Sequence, residues 1–446
     1  MGGQMGEDGA DEVNMELTQW ELWRQRVKAM KGERPSGAGP GPYRIIYHIS
    51  GHGLGHAVRS CRIIERFAKN PEVRFIEVGT GTTKKFVRER LQPRLTEEQW
   101  KKIHLFESWY DPGLVQTDSV TADLKATEER CRKWVDDWMD MIKEEMSWIR
   151  WWNPHLVLSD VGAVPLAAAG SLGYPSFAIG NFTWDWIYEP LMGQGSDLTF
   201  FKLRELYRLG YADALAWFQL PFGPRVTRTP FRVTFPVRMV AGRGVERRFE
   251  IARATGADPK KPWVLLSFSK VAWDKAARKE VSGGLDAEYL VMDPLSWGAR
   301  MPGNFRRLSP KEFAFTDVVA SCDAVLSKPG YGIVTDCIVN HKPLVYAERP
   351  DFREYPFLKE AVEEYGMGEC ISQETLYSGK VGGALERALG MAWRPRKTMW
   401  HDGAAQITNM LWELLKLPVD LKEGEEWEPP EADWGDSDEV DDGGDV

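Results

Sequence analysis

Residues 43–59 read YRIIYHISGHGLGHAVR, and the fold can be worked out starting from this stretch. Its first half, YRIIYHIS, is a short apolar run of the kind that forms a parallel strand buried on both faces. GHGLGH is a glycine-rich turn, and AVRSCRIIERFAK after it has helical spacing. The next apolar run, VRFIEVGTG at 73–81, repeats the strand pattern. The order strand, glycine-rich turn, helix and strand predicts the start of a doubly wound α/β domain.

The same alternation continues and then starts again in the second half of the chain. HLVLSD (155–160) and YPSFAIG (174–180) predict further buried strands. Between 225 and 248, seven arginines and one acidic residue stand among prolines and glycines, which is typical of a passage between domains. PWVLLSFSK (262–270) opens a second α/β series. The chain of 446 residues is therefore predicted to form two α/β domains with a cleft between them.

Composition and charge limit the class of protein. Hydrophobic residues make up 43% and charged residues 28% of the chain, which is enough apolar material for a sizeable core. Residues 420–446 contain thirteen acidic residues and one lysine, which more than accounts for the net charge of −9. That end is predicted to be a solvated, disordered tail, with an interaction tail as the alternative. The arginines at 225–248 fit either a linker or a site for phosphate or an anionic acceptor.

Cysteine spacing and apolar content exclude several other classes. Five widely spaced cysteines without a CxxC pair argue against a disulfide framework and a zinc site: Cys61, Cys131, Cys322, Cys337 and Cys370. No run of about 18 apolar residues occurs, so no transmembrane segment is expected. Met1–Met15 is glycine-rich and acidic and lacks the apolar segment of a signal peptide. A soluble, cytoplasmic protein is expected.

Two histidines, His52 and His56, lie in the first glycine-rich turn. The glycines of that turn let a ligand approach the backbone, and the helix N-terminus after it offers free N–H groups to an anion. A histidine placed there can act as a general base near neutral pH, or both histidines can simply satisfy backbone carbonyls. An NAD-dependent enzyme is disfavoured, because the spacing is not GxGxxG and Glu77 is the only acidic candidate for a ribose.

Two motifs in the second half of the chain resemble ligand sites of an open α/β sheet. SKPGYGIVTD (327–336) is a strand, glycine turn and helix junction, whose helix N-terminus suits a diphosphate. Asp336, one turn inside that helix, can accept from ribose hydroxyls or can merely complement the helix dipole. ERPDFREYPF (348–357) follows the strand PLVYAE at its carboxyl end, where such sheets bind ligands. Its polar side chains are expected to face the cleft.

Three segments together resemble a known family: GHGLGHAVR, SDVGAVPLAAAGSLGYPSFAIGNFTWDWIYEP and SKPGYGIVTDCIVNHKPLVYAERPDFREYPFL. They are similar to the glycosyltransferase-like N-terminal half of plant L-arabinokinases and, more distantly, to nucleotide-sugar glycosyltransferases of the GT-B fold. The resemblance covers residues 43–417. It implies an α/β GT-B architecture, in which two Rossmann-like doubly wound domains face a cleft.

The resemblance also implies how the chain is divided. We expect a disordered N-terminal segment (1–41), an N-terminal Rossmann-like acceptor domain (42–224), an interdomain passage (225–260), a C-terminal Rossmann-like nucleotide-sugar domain (261–403), a terminal helix that crosses back to the first domain (404–418) and an acidic disordered tail (419–446).

By position in the family's motifs, the site residues fall into three groups. The catalytic candidates are His52, His56, Asp160 and Asp185. The acceptor-binding candidates are Gly53, Gly55, Asn181 and Trp184. In the donor site the residues around the second glycine turn would cradle the diphosphate, Asp336 would hold the ribose and two carboxylates would meet the sugar: Lys328, Gly330, Tyr331, Gly332, Asp336, Asp351 and Glu354. Lys270 joins this group as a point charge on the phosphate.

Two departures from the family affect the predicted function. The sugar-kinase half of the arabinokinases is absent, so kinase activity is not expected. The glycine pair that family members carry after the first strand of the second domain is replaced by SFSK at 267–270. This change leaves a second hypothesis open, namely a catalytically silent nucleotide-sugar-binding or regulatory module.

The preferred hypothesis is a metal-independent, inverting hexosyl- or pentosyltransferase. It would move a sugar from a nucleoside diphosphate sugar, with a UDP-sugar expected, to an acceptor hydroxyl. No cofactor and no metal are expected, since the nucleotide-sugar is a substrate. The identity of the acceptor stays open, and the arginine-rich stretch keeps an anionic acceptor, such as a nucleic acid or a phosphorylated lipid, among the alternatives.

Overall fold

The computed structural model describes residues 42–82, 84–193, 198–224, 229–268, 271, 273–292 and 301–416. The predicted terminal segments, 1–41 and 419–446, lie outside the described residues, and so does Lys270.

The first half of the chain forms a seven-stranded parallel sheet with the strand order β3-β2-β1-β4-β5-β6-β7. Its strands are β1 (Tyr43–Ile49), β2 (Val73–Thr80), β3 (Ile103–Glu107), β4 (Leu156–Asp160), β5 (Ser176–Gly180), β6 (Ala216–Gln219) and β7 (Thr234–Pro236). The strand order reverses between β1 and β4. Crevices of open parallel sheets lie at such a reversal, outside the carboxyl ends of the strands.

Helices cover both faces of this sheet because its central strands are apolar on both sides. They are α1 (Leu54–Lys69), α2 (Lys84–Leu91), α3 (Glu97–Trp100), α4 (Leu124–Trp152), α5 (Ala163–Ser171), α6 (Trp184–Tyr188) and α7 (Thr199–Ala212), with 3-10 turns at Gln92–Arg94 and Glu189–Leu191. The long helix α4 begins at Leu124, where the Asp123 carboxylate caps it by accepting from the Ala126 N–H at 2.9 Å.

The second half forms a six-stranded parallel sheet with the order β10-β9-β8-β11-β12-β13. Its strands are β8 (Trp263–Ser267), β9 (Glu288–Met292), β10 (Phe305–Leu308), β11 (Ala324–Ser327), β12 (Leu344–Ala347) and β13 (Gly368–Ile371). The remaining helices are α8 (Arg248–Thr255), α9 (Lys275–Gly283), α10 (Phe315–Ser321), α11 (Tyr331–Val339), α12 (Tyr355–Tyr365), α13 (Gln373–Ser378), α14 (Gly382–Leu389) and α15 (Gly403–Lys416). The strand order reverses between β8 and β11.

The segment expected to be an interdomain passage contributes to the fold itself. Thr234–Pro236 pairs with β6 as the last strand of the first sheet, and Arg248–Thr255 is helical. A three-residue strand between prolines gives too short a pattern for sequence periodicity to detect.

Tryptophans on α4 divide between the core and the surface. Trp134 and Trp138 are buried, and the Trp134 ring stacks on Tyr207 with centroids 4.9 Å apart. Trp151 is 70% exposed. The tryptophans therefore pack in the core on the face of α4 that meets α7.

The two halves are joined by the last helix and by an arm. On α15, Thr408 accepts from Arg66 of α1 at 3.2 Å, so the chain returns to the first domain. Residues 115–123 form the arm, closed by a hydrogen bond from the Asp123 N–H to the Val115 carbonyl at 2.8 Å. The arm buries Val120 in the apolar cluster of the second sheet. Among the described residues, no helix is both long enough and apolar enough to cross a membrane.

Candidate functional site

The first turns of α1 and α11 meet where the two sheets face each other. A Cβ built on Gly55 would lie 3.9 Å from the backbone nitrogen of Gly332. Gly53, which precedes α1, has φ +78°, a left-handed conformation that favours glycine. Glycines at these positions therefore bring two helix N-termini, with their free N–H groups, to one cleft.

A buried histidine–aspartate pair lies on the first-domain side of the cleft. Asp160 ends β4 beside the end of β1, and the first turn of α1 places His56 against it. Nδ1 of His56 is 2.8 Å from Oδ1 of Asp160. Burial alone would raise the pKa of Asp160, but the Arg59 guanidinium and His56 hold that pKa well below its ordinary range. Asp160 is therefore ionised at neutral pH.

The tautomer of His56 follows from its partners. Nδ1 also lies 2.9 Å from Nη2 of Arg59, but a guanidinium only donates and an ionised carboxylate only accepts. One tautomer cannot satisfy both contacts. Nη2 of Arg59 already donates to Asp160 at 2.7 Å, so we place the proton on Nδ1, which then donates to the same ionised carboxylate. This tautomer leaves the lone pair of Nε2 free to accept a proton.

His52 has the opposite tautomer. Its Nδ1 accepts from the Leu114 N–H at 3.3 Å, so the neutral ring carries its proton on Nε2, which lies 3.4 Å from the Gln116 side-chain amide and requires the oxygen of that amide to face it. Burial, followed by the charges of His56, Lys328 and Arg349, lowers the pKa of His52 well below its ordinary value. His52 is therefore a neutral hydrogen-bond donor at physiological pH.

Two cations lie on the second-domain side of the cleft. Lys328 directly follows β11 and Arg349 follows the neighbouring β12, so parallel pairing brings them to the same edge. Burial and the charge of Arg349 lower the pKa of Lys328 to about 7. Burial lowers the pKa of Arg349 to about 10, with the carboxylates of Glu354 and Asp118 acting in the opposite direction.

Arg349 is held in place but is not saturated with hydrogen bonds. Its side chain is only 4% exposed, and its guanidinium lies 3.3 Å from the centre of the Phe352 ring. Nε and Nη2 have no hydrogen-bond partner among the described residues. These two N–H groups are therefore buried donors that an added acceptor could satisfy.

Comparison with known proteins agrees with this architecture. No protein-family model matches the chain. The calicheamicin glycosyltransferase CalG4 superimposes with a TM-score of 0.53 at 17% identity, over 84% of this chain and 99% of that chain. The chain has the GT-B fold. The glycosyltransferase VinC in complex with dTDP gives 0.50 at 14% identity, over 83% of this chain and 98% of that one. MnaA of S. aureus with UDP gives 0.52 at 11% identity, over 85% and 98%.

A sequence relative confirms the predicted resemblance. L-arabinokinase of Arabidopsis thaliana is 27% identical over 352 residues, which is 78% of this chain. The chain spans about a third, 32%, of the length of that relative.

Two predicted site residues pair with arginines of the protein. The Asp336 carboxylate is buried, and its Oδ1 accepts from Arg62 of α1 at 2.7 Å, whereas its Oδ2 has no hydrogen-bond partner among the described residues. Asp185 faces α7, where it pairs with Arg208 at 3.2 Å. The sequence indicated the position of these carboxylates at helix starts but could not indicate which helix would pack against them.

The two predicted acceptor-binding side chains, Trp184 and Asn181, are both buried. Trp184 is fully buried, and its ring meets His52 edge-on with centroids 5.1 Å apart, so it backs the histidine loop. Asn181 is fully buried between Arg59 and Glu354.

The predicted donor-binding residues differ in exposure. Asp351 is exposed, whereas the Tyr331 side chain is buried and its hydroxyl accepts from the Val240 N–H at 3.2 Å. Gly330 has open space where a Cβ would lie.

Two charged residues of the site were missed by sequence reasoning. Arg59 stands one turn after His56 on α1, and that spacing places the two side chains on one face of the helix. Arg349 lies within the quoted ERPDF motif, next to residues that were chosen for their carboxylates. Among the described residues, no group of three or more histidine, cysteine or acidic side chains is arranged to hold a metal ion.

Proposed function

We propose that this protein transfers a sugar from a nucleoside diphosphate sugar to an acceptor hydroxyl. The observation that carries the proposal is the buried, unsaturated Arg349 guanidinium beside Lys328, in the same cleft as the His56–Asp160 pair. An anion site and a general base on opposite sides of one cleft are the two parts that glycosyl transfer requires.

The chemistry can be assigned to atoms of this chain. Nε2 of His56 takes the proton from the acceptor hydroxyl, whose oxygen bonds to the anomeric carbon of the donor sugar. The bond from that carbon to the diphosphate oxygen breaks, and the electron pair leaves with the diphosphate. Asp160 stabilises the imidazolium that forms on His56. Because one displacement occurs from the face opposite the leaving group, the anomeric centre is inverted.

The charge that develops on the diphosphate is met by fixed groups. Lys328 and Arg349 lie at one sheet edge, and the first turn of α11 offers backbone N–H groups. These groups can neutralise the leaving group without a metal ion, which supports the metal-independent mechanism. The structural neighbours named with dTDP and UDP support a nucleoside diphosphate donor, and we propose a UDP-sugar.

The experiment is a thermal-shift screen of the purified chain against UDP, dTDP, other nucleoside diphosphates and their sugars. We expect one nucleotide to raise the unfolding midpoint, and Arg349→Leu to weaken its binding by roughly tenfold to a hundredfold, because a charged hydrogen bond contributes about 1.5–3 kcal/mol. Arg387→Leu is the matched control, since Arg387 is 64% exposed and pairs with Glu369 on the surface.

Turnover of the donor that the screen identifies completes the test. Release of nucleoside diphosphate from its sugar, with or without an acceptor, is expected from a transferase. Binding without any release would instead establish a catalytically silent nucleotide-sugar module. If no nucleotide shifts the wild-type midpoint, the proposed donor site is wrong.

A further inference from the structure

Asn181 lies between the two domains with its hydrogen-bonding groups in use. It directly follows β5 and is fully buried. Its Oδ1 accepts from Nη1 of Arg59 at 2.6 Å. Its Nδ2 donates to Oε1 of Glu354 at 2.8 Å and to the Phe222 carbonyl at 3.2 Å. A side chain so fully engaged is not free to bind an acceptor.

The orientation of this amide is dictated by its neighbours. The guanidinium of Arg59 has only donors, so it requires the oxygen of Asn181. The amide nitrogen must then face Glu354, whose carboxylate accepts. Glu354 precedes α12 in the second domain, so this bond crosses from one domain to the other.

The other end of Arg59 holds the catalytic pair. Nε and Nη2 donate to the two oxygens of Asp160, each at 2.7 Å, in a bidentate arrangement. Asp160 in turn holds Nδ1 of His56. A continuous series of hydrogen bonds therefore runs from Glu354 of the second domain to the ring of His56 in the first.

We propose that Asn181 is a positioning residue that couples closure of the cleft to the alignment of the base; this inference rests on the proposed role of His56. With the cleft closed, Glu354 fixes the amide, the amide fixes the third arm of Arg59, and Arg59 fixes Asp160. With the cleft open, the amide loses its charged acceptor, and only the Phe222 carbonyl still accepts from its nitrogen. The third arm of Arg59 is then held less firmly, and so is its grip on Asp160 and on Nδ1 of His56. The base is thereby aligned best when the two domains are in contact.

The first test compares two changes at Glu354 in the free, full-length chain. Glu354→Ala removes the acceptor, whereas Glu354→Gln keeps an oxygen that accepts from Asn181. Nitrogen-15 NMR of labelled histidines reports which ring nitrogen carries the proton, and His56→Gln assigns the His56 resonance. We expect Glu354→Ala to lower the fraction of His56 protonated on Nδ1 and to raise the radius of gyration measured by small-angle X-ray scattering. Glu354→Gln should resemble the wild type.

Glu360→Ala is the control, because Glu360 is exposed on the same helix. If Glu354→Ala leaves the His56 resonance unchanged while the control behaves as expected, the coupling is refuted. A second pair of variants distinguishes loss of the coupling from a folding defect. Asn181→Asp sets two carboxylates against each other and should open the cleft, and adding Glu354→Gln should close it again because the new amide donates to the introduced carboxylate.

The outcomes separate this inference from the proposed function. Absence of donor turnover in the wild type, with the His56 resonance still responding to Glu354, would leave the coupling standing and overturn the transferase. If the wild type turns over the donor but the His56 resonance does not respond to Glu354→Ala, the transferase function stands and the coupling is refuted. In an active enzyme, a positioning role further requires that Asn181→Asp lowers kcat more than it changes the KM for the donor.

Discussion

At the scale of single residues, the site depends on how two histidines of one loop acquire different tautomers. His56 donates from Nδ1 to a carboxylate, and His52 accepts at Nδ1 from a backbone N–H. Nε2 of His56 is therefore an acceptor, whereas Nε2 of His52 is a donor that faces the Gln116 side-chain amide. Only one of the two can remove a proton from a hydroxyl.

This difference predicts unequal effects on catalysis. We expect His56→Gln to lower kcat by about 10²–10⁴-fold, the usual contribution of a general base. His52→Gln should be milder, since a glutamine amide can replace the donor. Initial rates of nucleoside diphosphate release provide the measurement, with the exposed His341→Gln as the unaffected control. Equal losses at His52 and His56 would contradict the tautomer assignment.

The lowered pKa of Lys328 predicts how nucleotide binding varies with pH. Lys328 has a pKa of about 7 in the free protein, because burial and Arg349 disfavour its charged form. A bound diphosphate favours the charged form, so binding above that pH must be accompanied by proton uptake. UDP affinity is expected to fall as the pH rises above 7, and calorimetry in buffers of different ionisation enthalpy should detect the proton. Lys328→Arg should flatten this dependence, because arginine stays charged; an unchanged slope in that variant would exclude Lys328 as its source.

The lowered pKa of Lys328 makes the free energy of unfolding rise with pH, whereas it makes the affinity for UDP fall. Between about 7 and the ordinary lysine pKa of about 10.4, the unfolded chain holds the proton and the folded chain does not. The contribution of Lys328 to the free energy of unfolding therefore rises with pH across that window.

The lowered pKa of Asp160 means that its carboxylate stabilises the folded chain in the ionised form. Its contribution is present above its unfolded pKa and is lost as the pH falls through the folded value.

At the scale of elements, glycines set how closely the turns approach each other. A Cβ built on Gly223 would lie 1.6 Å from the Asn181 carbonyl oxygen, which is backbone and cannot move aside easily. Around Gly53 there is nothing within 4 Å, and only its positive φ opposes a side chain. One glycine is required by close packing and the other by conformation.

Alanine at these two positions should therefore differ in effect. Gly53→Ala is expected to destabilise the chain by about 1–2 kcal/mol, the strain of a left-handed non-glycine residue. Gly223→Ala should cost more, because the backbone carrying Asn181 must shift. Urea unfolding followed by fluorescence compares the two. A Gly223→Ala variant as stable as Gly53→Ala would show that this turn can relax.

At the scale of the whole molecule, buried polar contacts hold the two domains together. Asp336 of α11 pairs with Arg62 of α1, and Tyr377 of α13 donates to Asp118 of the arm at 2.6 Å. The Arg59 guanidinium also lies 5.3 Å from the centre of the Tyr331 ring. Contacts from both halves of the chain therefore hold the two domains against each other.

These contacts predict a structural role for Asp336. Asp336→Ala leaves the Arg62 guanidinium without its carboxylate and should lower the free energy of unfolding by about 3–5 kcal/mol, as for other broken buried pairs. Nucleotide affinity of the folded fraction should change little, since the carboxylate faces the other domain. Urea unfolding and calorimetric titration with UDP measure the two effects. A variant that folds normally but fails to bind nucleotide would instead support the predicted ribose-binding role of Asp336.

The sequence alone determined the order of strands, turns and helices along the chain. Apolar runs, glycine turns and helical spacing are local, so they predicted the two parallel α/β domains and the strand ends at which His56, Asp160 and Lys328 lie. The match to L-arabinokinase and the GT-B neighbours agree with that pattern.

Only the tertiary structure decided which of these residues act together. Asp336 and Asn181 each appeared at a position typical of ligand contacts, but packing of the other domain supplied Arg62 and Glu354 as their partners. Arg349 became notable only once its burial and its unpaired nitrogens were known. The reason is physical: a side chain's hydrogen-bonding state depends on groups hundreds of residues away, and local sequence patterns carry no information about those groups.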